Sequence, residues 1–232
     1  MTLPSIRAVP LSGSGGMLRL TARDREHLAT IATIMRVPAG SVFYQRGDPA
    51  VSIYNIVSGT VCSFRPMPNH SERVAAFLFA EDLFGLARRG VYVNSTRAVT
   101  PVTAFKLPLD ALSGLLMNNA GLQFRFLCKT THILREAQRR ALVLTRRDPV
   151  ERVLVFLSMM EEAQGQADRR QAERSVGLPM SVAEIANFLN LPAGSVVSAF
   201  SALEERGIIE RQDDGSITVL DRERFAVDGI DD

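Results

Sequence analysis

The stretch Ser181–Ile209 reads SVAEIANFLNLPAGSVVSAFSALEERGII, and its reading decides the fold. Ser181 followed three residues later by Glu184 is a capping box, in which each side chain bonds the other's backbone N–H and starts a helix. Ala183, Ile185, Ala186 and Leu189 recur at helical spacing and supply that helix's expected buried face. Leu191 ends a tight turn, and Pro192 starts a second helix, where a missing N–H costs nothing. Val196, Ala199, Phe200 and Leu203 form its core side, and Gly207 stops it. In IIERQDDGSITVL, two short apolar strands then flank Asp213-Asp214-Gly215-Ser216, a hairpin signal. Helix, tight turn, helix and hairpin is the order of a winged helix-turn-helix. A bare three-helix packing unit produces a similar pattern.

The second helix offers Gly194, Ser195, Val197, Ser198, Ser201 and Ala202 on its open face. Serine hydroxyls reach phosphates or base edges, and a valine touches a thymine methyl. None of the six is the Arg, Lys, Gln or Asn that makes most bidentate base contacts. The quoted stretch holds three Glu and one Arg. Over residues 178–220, Arg206 and Arg211 stand against six acids: Glu184, Glu204, Glu205, Glu210, Asp213 and Asp214. Neutralising phosphates with Lys and Arg drives most non-specific DNA affinity. Shape therefore argues for DNA, and charge argues against strong binding.

Outward from this unit, the 232 residues carry a net charge of only +2. That total hides a step. Residues 1–146 hold 18 Lys and Arg against 8 Asp and Glu, a net of +10, while residues 147–232 hold 9 against 17, a net of −8. Two separate units are expected. Residues 1–16 end in GSGG and read as a mobile arm. TARDREHLATIATIM then has a helical period, with Thr21 as cap and Leu28, Ile31 and Ile34 on one face. From Arg36 to Pro108, short runs rich in Val, Ile, Phe and Tyr alternate with turn signals such as RGDP, which predicts a sandwich or rolled barrel.

Helical periodicity returns from Leu109. LDALSGLLMNN predicts a short helix, and GLQFRFLCKTTHILREAQRRALVLTRR a long one. Leu127, Leu134 and Ala141 recur every seven residues, and Phe124, Ile133 and Leu144 add a second apolar flank. A helix apolar on two sides packs two ways, here onto the roll and onto a partner helix. A single wide core face is the alternative. Asp148-Pro149 starts a further helix, PVERVLVFLSMMEEA, and GQADRRQAERS reads as a loop.

Several classes are weakened. Hydrophobic residues make up 46%, enough for a packed core. No apolar run approaches the roughly 18 residues of a membrane span. Pro4, Arg7 and Pro10 interrupt any apolar signal core, so export is not expected and the cytoplasm is the expected compartment. Cys62 and Cys128 make no disulfide framework and read as small core residues. His27, His70 and His132 lie on different elements without metal-ligand spacing. SGSGG is not followed by the Gly-Lys-Ser/Thr of a phosphate loop. No nucleophile–base or paired-carboxylate set stands out, so no enzyme is expected. Arg139, Arg140, Arg146 and Arg147 cluster at the end of the long helix, where cations are favoured. Contact with DNA backbone, or with acids of the second unit in an off state, is the sharper reading of that cluster.

Taken over almost its whole length, the chain resembles the Crp/Fnr family of bacterial transcription regulators, in its FixK-like branch. VPAGSVFYQRGDPAVSIYNIVSGTV (37–61) is similar to the family's opening β-roll, and EDLFGLA (81–87) and AVTPVTAFKLP (98–108) to its later strands. FLCKTTHILREAQRRALVL resembles the dimerisation helix, and the opening stretch resembles the DNA-binding unit. The resemblance implies an α+β chain with an N-terminal β-roll, a cyclic-nucleotide-binding-like jelly roll. A long dimerisation helix and a C-terminal winged helix-turn-helix follow. The expected divisions are an arm at 1–20, a sensory roll at 21–118, the dimer helix at 119–147 and the DNA-binding domain at 148–232. A homodimer, double-stranded promoter DNA and RNA polymerase are the implied partners, with no membrane. Ser181, Val182, Asn187, Pro192, Gly194, Ser195, Val197, Ser198, Ser201 and Arg206 are the expected DNA-contacting residues. Leu127, Leu134, Gln138 and Ala141 are the expected dimer contacts.

Three departures qualify the resemblance. Cyclic-nucleotide binders carry Gly-Glu and, later, Arg followed by Ser or Thr, but here Leu86 follows Gly85 and Asn94 precedes Ser95. Members with an iron–sulfur cluster use four mostly N-terminal cysteines, and the first 61 residues here hold none. No cofactor is expected. In the reading helix the family commonly shows Glu-x-x-Ser-Arg, and the aligned positions are Gly194, Val197 and Ser198. The alternatives are a regulator of altered preference, a degenerate member acting through protein contacts, and a small-molecule sensor.

Overall fold

The computed structural model describes residues 21–68, 71–167 and 175–225, so the expected arm falls outside the described residues. Helix α1 (Ala22–Ala29) starts at the Thr21 cap, with Asp24 completing a reciprocal box. It ends earlier than the periodicity suggested. The Thr30 hydroxyl bonds back to the His27 carbonyl at 2.7 Å, and Thr33–Val37 forms strand β1. A β-branched run loses side-chain freedom in a helix and fits a pleated edge. Leu28 is therefore buried, while Ile34 projects from an edge strand.

Nine further strands complete the roll. They are β2 (Val42–Tyr44), β3 (Ser52–Ser58), β4 (Val61–Pro66), β5 (Glu72–Leu78), β6 (Leu83–Phe84), β7 (Ala87–Arg88), β8 (Val91–Tyr92), β9 (Ser95–Ala98) and β10 (Val102–Pro108). Two four-stranded antiparallel sheets, in the orders β1-β10-β3-β6 and β2-β9-β4-β5, enclose Tyr44, Tyr54, Ile56, Phe84, Tyr92 and Ala104. The Tyr44 and Tyr92 rings stack at 3.7 Å, and Phe43 meets Phe84 edge-on at 5.1 Å. Burial pushes the Tyr44 and Tyr54 phenols well above their ordinary range. At Gly59 (φ +92°) a Cβ would stand 2.3 Å from the Pro101 carbonyl, so this turn accepts only glycine.

Helices α2 (Leu109–Met117) and α3 (Ala120–Thr145) follow. The Asn119 side chain caps α3 by accepting the Leu122 N–H at 3.0 Å. One side of α3 is buried through Leu122, Phe126 and Val143. The Lys129 ammonium bonds the Glu81 carbonyl, and burial lowers its pKa despite nearby Asp82 and Glu81. Arg125 reaches Asp24 of α1 at 2.6 Å. Cys62 is fully buried as expected, whereas Cys128 is only half-buried, because its place on α3 borders the open side.

The C-terminal unit comprises α4 (Pro149–Ala167), β11 (Ser175–Val176), α5 (Val182–Leu189), α6 (Ala193–Glu205), β12 (Ile209–Arg211), β13 (Ile217–Val219) and α7 (Arg222–Phe225). Helix α4 runs four residues past the expected EEA end, because QGQA continues it and Gln164 bonds both ways to Gly177, at 2.7 and 2.9 Å. The hairpin gains a third strand, in the order β11-β13-β12. The core of this unit does not stop at its own boundary. Cys62, Phe64, Val74, Phe77 and Phe79 of the roll share one buried cluster with Phe156, Phe188, Leu189 and Phe200.

Candidate nucleic-acid interface

Helix α5 begins at the Ser181–Glu184 capping box, with the Ser181 hydroxyl accepting the Glu184 N–H at 3.2 Å and Glu184 accepting the Ser181 N–H at 2.8 Å. It ends at Asn190, which takes the left-handed conformation (φ +53°) and turns the chain sharply. Helix α6 starts from Pro192, and the two helices meet at 100°. The α4 guanidinium of Arg152 holds the joint, reaching the Arg146 carbonyl at 2.6 Å and the Leu189 carbonyl at 3.1 Å. A cation at the last carbonyls of α5 is favourable.

The open face of α6 carries what the spacing predicted. Gly194, Val197 and Ser198 are exposed, Val197 by 47%, and Ser195 and Ser201 are half-buried. Ser181, Val182 and Pro192 are exposed at the two helix starts, and Arg206 is exposed at the far end of α6. Two side chains go elsewhere. Ala183 is exposed rather than in the core. Asn187 does not face the open side: its Oδ1 accepts the Val74 N–H at 2.7 Å and its Nδ2 donates to the Glu72 carbonyl, so it is spent on β5. The turn of α5 that carries Asn187 and Phe188 packs on the roll, away from the start of α6.

The acidity of the unit is partly cancelled in place. Arg97, on β9, reaches Glu184 at 2.9 Å and also pairs with Glu72. Burial opposes ionisation of Glu184, but Arg97 and the Ser181 bonds outweigh it and hold the carboxyl below its usual 4.5. Glu204 pairs with Arg211 at 2.5 Å, which lowers its pKa. Asp214 accepts the Ser216 N–H at 2.9 Å within the wing turn, and this holds its carboxyl low. Glu205, Glu210 and Asp213 remain exposed. Arg97, Glu72 and Arg152 are the residues that periodicity did not single out. The opposite charge of the two halves is a sequence signal for the Arg97–Glu184 pair, but not for Glu72 or Arg152.

Away from the roll, α3 presents Phe124, Leu127, Thr131, Leu134, Gln138 and Ala141, all exposed, Leu127 by 61% and Leu134 by 59%. Their alternating spacing of three and four residues is that of a coiled-coil seam.

Residues 34–119 match the family model described as a cyclic nucleotide-binding domain, and residues 151–226 match the one described as a Crp-like helix-turn-helix domain. The chain belongs to the Crp/Fnr family of transcription regulators, in its FixK-like branch. This Crp/Fnr regulator is 26% identical over 202 residues to the transcriptional activatory protein AadR of Rhodopseudomonas palustris, covering 87% of this chain and 83% of that one. It is 26% identical to the nitrogen fixation regulation protein FixK of Bradyrhizobium diazoefficiens, with the same coverage. The solved structure of FixK2 from Bradyrhizobium japonicum superposes with a TM-score of 0.76 at 25% identity, over 84% of this chain and 96% of that one. Regulators of this family bind DNA through the helix-turn-helix and act as dimers. The relatives are transcription regulators and not enzymes by name. Among the described residues no single helix is long and apolar enough to cross a membrane, and no group of three His, Cys, Asp or Glu is placed to hold a metal.

Proposed function

We propose that this regulator is a cytoplasmic homodimer that joins through the α3 seam and binds a two-fold symmetric promoter site. Ser195, Val197, Ser198 and Ser201 meet base edges and methyl groups, and Gly194 allows close approach. Ser181, Val182, Pro192 and Arg206 lie at the flanking phosphates. The observation that carries this reading is the open face of α6 from Ala193 to Ala202, a stretch without an acidic side chain, while Glu184 and Glu204 are paired with arginines and exposed Glu205 stands at the helix end. RNA polymerase is the protein partner, and the relatives named as transcriptional activators favour activation as the output.

The roll takes no cyclic nucleotide in this reading. Its interior is filled by stacked rings, Leu86 follows Gly85, and the buried Ser95 hydroxyl accepts the Arg46 N–H at 3.0 Å. Duplex binding measured over a salt series tests the proposal. Affinity that falls as salt rises, with two chains per duplex, supports it. A dimer that binds no duplex at low salt sinks it.

A further inference from the structure

The outer edge of β5 is gripped by a side chain, not by another strand. Asn187 donates to the Glu72 carbonyl and accepts from the Val74 N–H, the two groups that flank Arg73. A residue of an added parallel strand makes this same pair of bonds through its backbone. Only an amide side chain carries both a donor and an acceptor at that spacing.

Two further contacts close the seam on either side. Arg97 forks between Glu72 of the roll and Glu184 of α5, and its guanidinium covers the Phe64 ring at 4.7 Å. Phe188 of α5 lies 5.5 Å from both Phe77 of the roll and Phe156 of α4, ring centre to ring centre. All of this is behind the reading unit. The face of α6 stays open in front.

We propose that Asn187 and Arg97 are positioning residues for DNA binding: they clamp the back of the reading unit to the edge of the roll, so that roll and reading helix turn as one body. The inference rests on the dimeric DNA-binding reading above. In a dimer the separation of the two α6 helices is then set by the roll and α3 together, and one half-site spacing is preferred. Such spacings are about one helical turn of DNA or a multiple.

The test uses the full chain. Spin labels at Val57→Cys on the roll and Glu205→Cys on α6, in a Cys128→Ser background diluted with unlabelled chain, report the distance between the two bodies. The parent gives one narrow distribution. Asn187→Asp is nearly isosteric but loses the donor, and it broadens that distribution, as does Arg97→Gln. With duplexes whose half-sites are moved apart by one or two base pairs, the parent discriminates by about tenfold or more and the variants by less. Half-site sequence preference is unchanged in both variants.

Circular dichroism confirms that each variant is folded. If Asn187→Asp is unfolded, Arg97→Gln decides the question alone. A distribution that stays narrow in the folded variants, or spacing discrimination equal to the parent's, overturns the clamp. A parent that binds no duplex sinks the DNA reading instead, and the distance distributions still decide the clamp.

Discussion

Arg97 of the β-roll and Glu184 of the first reading-unit helix, 87 residues apart in the chain, meet at 2.9 Å. A basic half and an acidic half are joined there, so the reading unit draws on the roll for part of the positive charge it lacks. Glu184 has a second duty in the same place, closing the capping box that starts α5. One ion pair therefore links the fold of a helix to the seating of a domain.

This pair gives stability a defined pH dependence. The folded pKa of Glu184 lies below the ordinary 4.5. Its contribution is fully present above that value and is lost as pH falls through the lower folded value. The melting temperature of the parent should drop across the acid range below about pH 4.5. Glu184→Gln should show a smaller drop over that window and a lower melting temperature at neutral pH. Melting curves from pH 3 to 7 read both, and identical acid slopes for the two proteins would count against the pair.

The shared core predicts cooperative unfolding. Phe77, Phe156 and Phe188 are all buried, and they come from the roll, α4 and α5. Phe77→Ala removes a ring from this cluster and should cost about 3–5 kcal/mol. Urea unfolding should show one transition for the parent, with the loss felt in both the roll and the reading unit. Two well-separated transitions in the parent would show that the units melt independently.

Leu134→Asp places a carboxylate in the α3 seam, where the side chain is exposed in the single chain. The fold should survive, and light scattering should report a monomer. A dimer of unchanged strength would move the interface off this stripe.

The reading face predicts a change of preference without loss of fold. Nothing lies within 4 Å of a Cβ built at Gly194, and Val197 and Ser198 are exposed. The combined change Gly194→Glu, Val197→Ser and Ser198→Arg installs the charged readers that the family commonly carries. It should shift the selected sequence, with about 1–3 kcal/mol of new discrimination per bidentate contact. An unchanged selected sequence would show that α6 is not the reader.

Much of this molecule was legible in the sequence, and the limits are instructive. Ser181 and Glu184 announced the start of α5 because a capping box is a local device. The alternation of β-rich runs with turns such as RGDP marked the roll for the same reason. The 3.6-residue period overreached at Ile34, where edge pairing with β10 outweighed a short helical pattern. The seam was not legible, because Arg97–Glu184 and Asn187–Val74 are contacts between distant segments. One signal did exist. VCSF in β4 is apolar or small without alternation and is buried on both faces, as it must be when a roll strand is covered by a second domain. From sequence Asn187 reads as a DNA contact, as a polar residue on a helix-turn-helix does, and periodicity does not say which neighbour a helix face meets; the structure seats it on β5.

Selection of bound duplexes from a random pool, at low salt and with the unmodified chain, tests the central claim most directly. A reading α6 in a clamped dimer predicts enrichment of a two-fold symmetric sequence with one fixed spacing between its halves. A pool that emerges without an enriched sequence, from a protein shown to be folded and dimeric, would contradict it.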